Sequence, residues 1–241
     1  VKYIIFAVAF CLTSHVATAA PKQIKVFVAL CDNKTQGIIP VGAKIGNGDD
    51  PDANLYWGCS DGLPAVFKGG GRWKAGKTEK DISQSVLRRV TFTHVSGEMA
   101  LTAEAYRGSE MRQCLADFQE AVASGEYQLV AFIGHNGLMD FEVPEAKAGA
   151  GKRTDAVVLC CLSERYFSER LQKLGARPVL MTQQLMYPGS FLLHDTLEVW
   201  NKGGSLDEMR DASAKAYAKN QKISVKAATG VFAKLPSDSL K

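Results

Sequence analysis

The segments YQLVAFIGHNG (residues 127–137) and DAVVLCCLS (residues 155–163) decide the fold of this chain. In each segment a short apolar run ends on a reactive side chain, which is His135 in the first and Cys161 in the second. Short apolar runs bounded by turn residues are typical of buried strands in a parallel sheet. Because ligands bind beyond the carboxyl ends of such strands, we expect the histidine and the cysteine to face one crevice.

Outside these segments, predicted strands alternate with predicted helices. The other strands cover residues 23–31, 90–95, 100–107 and 177–182, and the helices cover residues 79–89, 108–124, 163–174, 189–200 and 205–220. Gly125 is a helix-ending residue, and Ser205 with Glu208 is a capping box that begins the last helix. This order predicts a single α/β domain over residues 21–241, with a mostly parallel sheet flanked by helices.

Residues 32–78 form a long Gly-, Asp- and Pro-rich stretch without helical periodicity. Such a stretch in a compact domain is usually functional or held down by a cross-link, and a disulfide between Cys31 and Cys59 is one candidate. Residues 47–54 collect Asp and Asn side chains, but their spacing differs from that of a calcium loop. We therefore expect a turn cluster there and no metal.

The N-terminus has the pattern of a secretory signal peptide. Lys2 precedes the apolar run of residues 3–12, and the small residues ATAA at positions 17–20 precede Pro21. This pattern predicts removal of residues 1–20 and export to the bacterial periplasm or the extracellular space. No other stretch is long and apolar enough for a transmembrane helix, so we expect no stable membrane insertion.

Export changes the interpretation of the cysteines. Loss of Cys11 with the signal peptide leaves five of the six. An oxidising compartment favours disulfides, so two disulfides and one free, reactive thiol are the simplest arrangement. The alternative is that several of them are buried free cysteines.

Charge and histidine spacing limit the partners. The net charge of +4 is not concentrated in a Lys/Arg block, so we expect no nucleic-acid partner. The histidines after the signal peptide (His94, His135 and His194) lack the spacing of zinc ligands. We therefore expect neither a metal nor another cofactor.

A cysteine nucleophile needs a base that removes its proton, and His135 is the candidate. The interval between His135 and Cys161 is long enough for one crossover, which takes about a dozen residues or more. The backbone N–H groups of Asn136, Gly137 and Cys161 are the candidate donors to an oxyanion. Because side chains alternate along a strand, only one of Cys160 and Cys161 is expected to enter the crevice.

The sequences GHNG (134–137) and LCCLS (159–163) resemble the turns of caspase-like cysteine peptidases. Legumains, clostripain, gingipains, metacaspases and caspases share this fold. The resemblance implies a three-layer sandwich, a peptide or protein substrate, His135 as general base and Cys161 as nucleophile, with Cys160 as the alternative nucleophile. Two features depart from the family, since Asn136 stands where many relatives carry Gly and no Asp precedes the Cys turn as in the clostripain-like branch.

Two other functions are open at this point. The chain is a non-catalytic secreted binding module if the His–Cys pair is vestigial. A remote alternative is a nucleotide-binding phosphate loop, because GRWKAGKT (residues 71–78) satisfies that motif. No apolar strand leads directly into this motif, so a Gly-rich surface loop is the simpler interpretation.

Overall fold

The computed structural model describes residues 20–149 and 151–236. Residues 1–19 of the predicted signal peptide lie outside this part of the chain. The strands are β1 (Lys22–Ala29), β2 (Trp73–Lys80), β3 (Val86–His94), β4 (Met99–Tyr106), β5 (Leu129–Ile133), β6 (Asp155–Leu159) and β7 (Arg177–Leu180). The α-helices are α1 (Leu63–Gly69), α2 (Met111–Ser124), α3 (Ser163–Lys173), α4 (Phe191–Asn201), α5 (Leu206–Gln221) and α6 (Val225–Thr229).

The strands form one sheet in the order β2-β3-β4-β1-β5-β6-β7. Strands β4, β1, β5, β6 and β7 are parallel to one another, and β2 and β3 extend the sheet in antiparallel pairing. The predicted α/β class with a mostly parallel sheet is confirmed. In the described residues no helix has the length and hydropathy to cross a bilayer.

Helices cover both faces of the sheet, which gives three layers. Side chains of β5 alternate between two hydrophobic clusters: Leu129 and Ile133 pack on the side of α1, α4, α5 and α6, whereas Val130 and Phe132 pack on the side of α2 and α3. A strand buried on both faces has to be apolar at every position. This explains the unbroken apolar runs of β5 and β6.

The topology places the ends of three strands together. After β1 the chain forms β2, β3 and β4 on one side of β1 and then crosses to β5 on the other side. Strands β1 and β5 therefore meet at a switch point, where a crevice opens. Ile133 pairs with Leu159 at the ends of β5 and β6. The residues that follow these two strands therefore emerge at the same edge of the sheet.

Local signals fix several helix ends. Helix α2 ends at Gly125, whose φ of 67° is left-handed. Helix α5 begins at the predicted capping box, in which Ser205 Oγ accepts from the Glu208 N–H at 3.2 Å and Glu208 Oε2 accepts from the Ser205 N–H at 2.7 Å. Both predictions are confirmed.

The predicted helix at 79–89 and the phosphate-loop alternative at 71–78 are both wrong. Residues Trp73–Lys80 form the edge strand β2, and the chain then turns directly into β3. An extended strand cannot wrap its N–H groups around a phosphate, and no helix follows it. Gly76 serves packing, because a Cβ there would lie 2.5 Å from Thr91 Oγ1.

Residues 32–78 are held by hydrogen bonds and not by a disulfide. All five cysteines of the described chain are free, so the expected disulfide between Cys31 and Cys59 is absent. Asn54 is fully buried; its Oδ1 accepts from the Cys31 N–H at 3.1 Å and its Nδ2 donates to the Cys31 carbonyl at 2.8 Å. Cys59 instead donates its thiol to the Ala53 carbonyl at 3.6 Å.

The Asp and Asn side chains of residues 47–54 form hydrogen bonds or ion pairs with other groups of the protein. Asn47 Oδ1 accepts from the Asp49 N–H at 3.1 Å, as expected for a turn. Asp49 forms an ion pair with Arg107.

Candidate active site

A crevice of about 390 Å³ opens at the carboxyl edge of the sheet. His135 follows β5 and Cys161 follows β6, and both side chains line this crevice. Three larger hollows have no histidine or cysteine among their described lining residues: about 640 Å³ between α4 and α5, about 610 Å³ beside α3, and about 420 Å³ beside α1, β2 and β3. The strand-end crevice is therefore the candidate site for thiol chemistry.

The two adjacent cysteines have different surroundings. Cys160 is fully buried in the cluster under α2 and α3, and burial, with a smaller effect of Cys161, raises its pKa well above the ordinary value. Cys161 is partly exposed and lines the crevice. Because side chains alternate at the end of the strand, the candidate nucleophile is Cys161, and the alternative Cys160 is a core residue.

The Cys161 side chain is held by the loop after β7. Its Sγ accepts from the Met186 N–H at 3.3 Å and lies 3.6 Å from the Met186 carbonyl oxygen. The N–H and the carbonyl of Met186 together fix the direction of the Cys161 side chain. This contact brings Met186, from the loop between β7 and α4, to the candidate nucleophile.

A sharp turn directly follows Cys161. Leu162 has φ 53° and ψ 34°, a left-handed conformation that costs a non-glycine residue about 1–3 kcal/mol. The turn is supported by Ser163, whose hydroxyl donates to the Val158 carbonyl at 2.8 Å and accepts from the Thr182 N–H at 2.8 Å. This turn separates β6 from α3 and leaves Cys161 between the end of the strand and the start of the helix.

His135 is oriented by a carboxylate. The His135 side chain is only 7% exposed, and its Nε2 lies 2.8 Å from Asp140 Oδ2. The same oxygen of Asp140 accepts from the Gly37 N–H at 2.9 Å. Because a carboxylate accepts hydrogen bonds, Nε2 is the donor in this contact, and Nδ1 makes no hydrogen bond with the part of the chain that the structure describes.

The turn after β5 is tied to the tip of β6. Asn136 is fully buried, its Nδ2 donates to the Cys161 carbonyl at 2.7 Å, and its Oδ1 accepts from the Leu138 N–H at 3.2 Å. This side chain links the two strand ends that carry the histidine and the cysteine.

The predicted oxyanion donors divide into two groups. The Gly137 N–H donates to the His135 carbonyl at 3.1 Å, so it is already engaged in this structure. Gly137 is instead needed for packing, since a Cβ would lie 2.7 Å from Met111 Cγ. The N–H groups of Asn136 and Cys161 donate to no acceptor within the described residues and remain candidates.

Sequence reasoning missed Asp140 and Tyr56. Asp140 lies five positions after the histidine, so an acidic residue in the same turn was the available signal. Tyr56 lines the crevice, and its pKa is raised well above the ordinary value, mainly by burial and next by Cys31 and Cys161. Its phenol therefore stays neutral beside the thiol.

No protein-family model, curated protein or solved structure matches this chain. The basis for a functional inference is therefore the chemistry of the crevice.

Proposed function

We propose that this protein is a cysteine endopeptidase, exported through its predicted signal peptide, in which His135 and Cys161 form the catalytic pair. The observation that carries the proposal is that an imidazole held by a carboxylate and a partly exposed thiol line one crevice. A nucleophile, a base and a group that orients the base are the three parts that covalent catalysis requires, and Cys161, His135 and Asp140 are the candidates for them.

The reaction begins when the Cys161 thiol gives its proton to His135 Nδ1. The thiolate attacks the peptide carbonyl carbon, and the negative charge moves to the carbonyl oxygen, which the N–H groups of Cys161 and Asn136 stabilise. The imidazolium, stabilised by Asp140, then protonates the leaving amine as the C–N bond breaks. Water, deprotonated by His135, attacks the acyl-enzyme and releases the acid and the free thiol.

The resemblance to caspase-like peptidases supports this proposal. In that family the base and the nucleophile follow successive parallel strands, as His135 and Cys161 do here. Asn136 stands where many members of the family carry Gly. In this chain its side chain has a structural role, because it donates a hydrogen bond to the Cys161 carbonyl.

The second candidate is a non-catalytic binding module. The contacts of Met186 with the Cys161 sulfur favour it, because both the N–H and the carbonyl of Met186 are within reach of Sγ. In this case the cysteine serves to fix the loop and the protein cleaves nothing.

Peptide cleavage distinguishes the two candidates. The mature protein is incubated with a mixture of unfolded proteins, and new peptide termini are counted by mass spectrometry for the wild type, Cys161→Ala, His135→Asn and Cys59→Ala. Cys59 is the matched control, as it is also a partly exposed free thiol but does not line the crevice. We expect cleavage by the wild type and Cys59→Ala, and a loss of about a hundredfold or more in His135→Asn. Absence of cleavage by the wild type, or cleavage that survives Cys161→Ala, refutes the peptidase.

A further inference from the structure

The walls of the crevice are apolar. Ile38 and Ile39 line one side, Leu185 and Met186 line the other, and Met139 comes from the turn after the histidine. None of the described lining residues is Asp, Glu, Lys or Arg. The binding surface beside the thiol therefore offers dispersion and hydrophobic contact but no charge.

Three apolar residues that line this crevice have unusually exposed side chains. Ile39 is 90% exposed, Leu185 is 69% exposed and Met139 is 40% exposed. Scattered exposed apolar residues are normal, but several around one cavity mark a ligand site. Since these three side chains surround the same opening as Cys161, the occupant they fit lies next to the sulfur.

The carboxylates of Asp140 and Asp61 are not among the described lining residues of the crevice, and both already accept hydrogen bonds. Asp140 is engaged by the His135 ring and by the Gly37 N–H, and Asp61 accepts from Asn220 Nδ2 at 3.0 Å. A charged side chain that entered the crevice would lose water and find no opposite charge among the described lining residues. Burial of an unpaired charge is strongly unfavourable, so the crevice selects against both acidic and basic residues.

We propose that the crevice is the specificity pocket for an uncharged, apolar side chain, such as Leu, Met or Phe, on the residue immediately before the scissile bond. This inference rests on the proposed function. The acyl group of that residue is the part of the substrate that becomes bonded to Cys161, so its side chain is the one held nearest the sulfur. Leu185 and Ile39 are the residues that determine the preference.

The test uses peptidyl acyloxymethyl ketones, which alkylate a cysteine peptidase in proportion to recognition of the peptide. Four probes with identical flanking residues carry Leu, Phe, Asp or Lys before the ketone, and intact-mass spectrometry gives the rate of Cys161 modification. We expect the Leu and Phe probes to react at least about tenfold faster than the Asp and Lys probes. An equal or faster reaction of a charged probe overturns the inference.

A charge placed in the pocket provides the second arm. Leu185→Asp should raise the rate with the Lys probe and lower the rate with the Leu probe, because it supplies the missing opposite charge. The matched control is Val225→Asp, at an apolar residue that is 48% exposed on α6 and does not line the crevice, and it should leave the ratio unchanged. Unaltered ratios in Leu185→Asp refute the role of Leu185.

Simple alkylation by iodoacetamide separates failure of this inference from failure of the proposed function. If iodoacetamide labels Cys161 in a His135-dependent manner but the probes show no apolar preference, the peptidase proposal stands and the pocket assignment is wrong. If His135-dependent labelling is also absent, both are wrong.

Discussion

Replacement of Asn136 by Ala tests whether one buried side chain ties together the two strand ends of the site. Asn136 is fully buried and makes two hydrogen bonds, of 2.7 Å to the Cys161 carbonyl and 3.2 Å from the Leu138 N–H. Each bond contributes about 1 kcal/mol net, and a buried partner left unpaired costs about 1–3 kcal/mol. We therefore expect Asn136→Ala to lower the free energy of unfolding by about 2–4 kcal/mol.

The assay is equilibrium unfolding in urea, with an unchanged slope against urea as the sign that only stability has changed. Asn201→Ala is the control, because Asn201 also makes two side-chain hydrogen bonds, from Lys22 Nζ at 3.0 Å and to Glu98 Oε2 at 2.7 Å, but is partly exposed. Water can replace these bonds, so the substitution should cost less than about 1 kcal/mol. Iodoacetamide labelling of Cys161 under native conditions should also slow in Asn136→Ala. A loss of stability no larger than that of Asn201→Ala would refute the proposed link.

Three further predictions concern the base, a buried thiol and the far end of the sheet. Asp140→Asn should slow peptide cleavage and alkylation of Cys161 by about a hundredfold, since a small misplacement of the base costs on that order. Burial raises the pKa of Cys31 from 9.0 to about 11, so the stability gained from its neutral form is complete below pH 9 and is lost as the pH rises to 11. In that interval the free energy of unfolding in urea should fall more steeply for the wild type than for Cys31→Ala, by up to about 1.4 kcal/mol per pH unit. Asp155→Ala should cost about 3 kcal/mol in the same urea assay, because it removes the ion-pair partner of Arg177 and the buried acceptor of the Trp200 Nε1–H. It should leave labelling of Cys161 unchanged.

The elements that could be predicted from the sequence are those with strong local patterns. The apolar runs of β5 and β6 specify strands buried on both faces, and their parallel pairing brings His135 and Cys161 to one edge. The capping box of α5 was equally readable, because its two hydrogen bonds join residues three positions apart.

The elements that could not be predicted depend on tertiary contacts. Strand β2 is an edge strand with mostly exposed residues, so its apolar alternation is weak and the Gly–Lys–Thr pattern within it was misleading. Asp140 acquires its role through the short turn that directs its carboxylate at the His135 ring. Met186 reaches the sulfur only through the fold of the loop after β7.

Which of Cys160 and Cys161 is the candidate nucleophile could be predicted from the sequence only in part. Alternation along the strand predicts that the two side chains point to opposite faces. Which of them enters the crevice depends on where β6 ends, and the left-handed turn at Leu162 sets that point.

The most direct test of the central claim is the rate at which iodoacetamide alkylates each cysteine of the native protein at pH 7, measured by peptide mapping. A free thiol is only a few per cent ionised at this pH, so a thiol that passes its proton to a base should react on the order of tenfold faster. We predict that Cys161 is labelled faster than Cys59 by this factor, and that His135→Asn removes the difference while the labelling of Cys59 is unchanged. Equal labelling of the two thiols in the wild type, or fast labelling of Cys161 that persists in His135→Asn, would contradict the account.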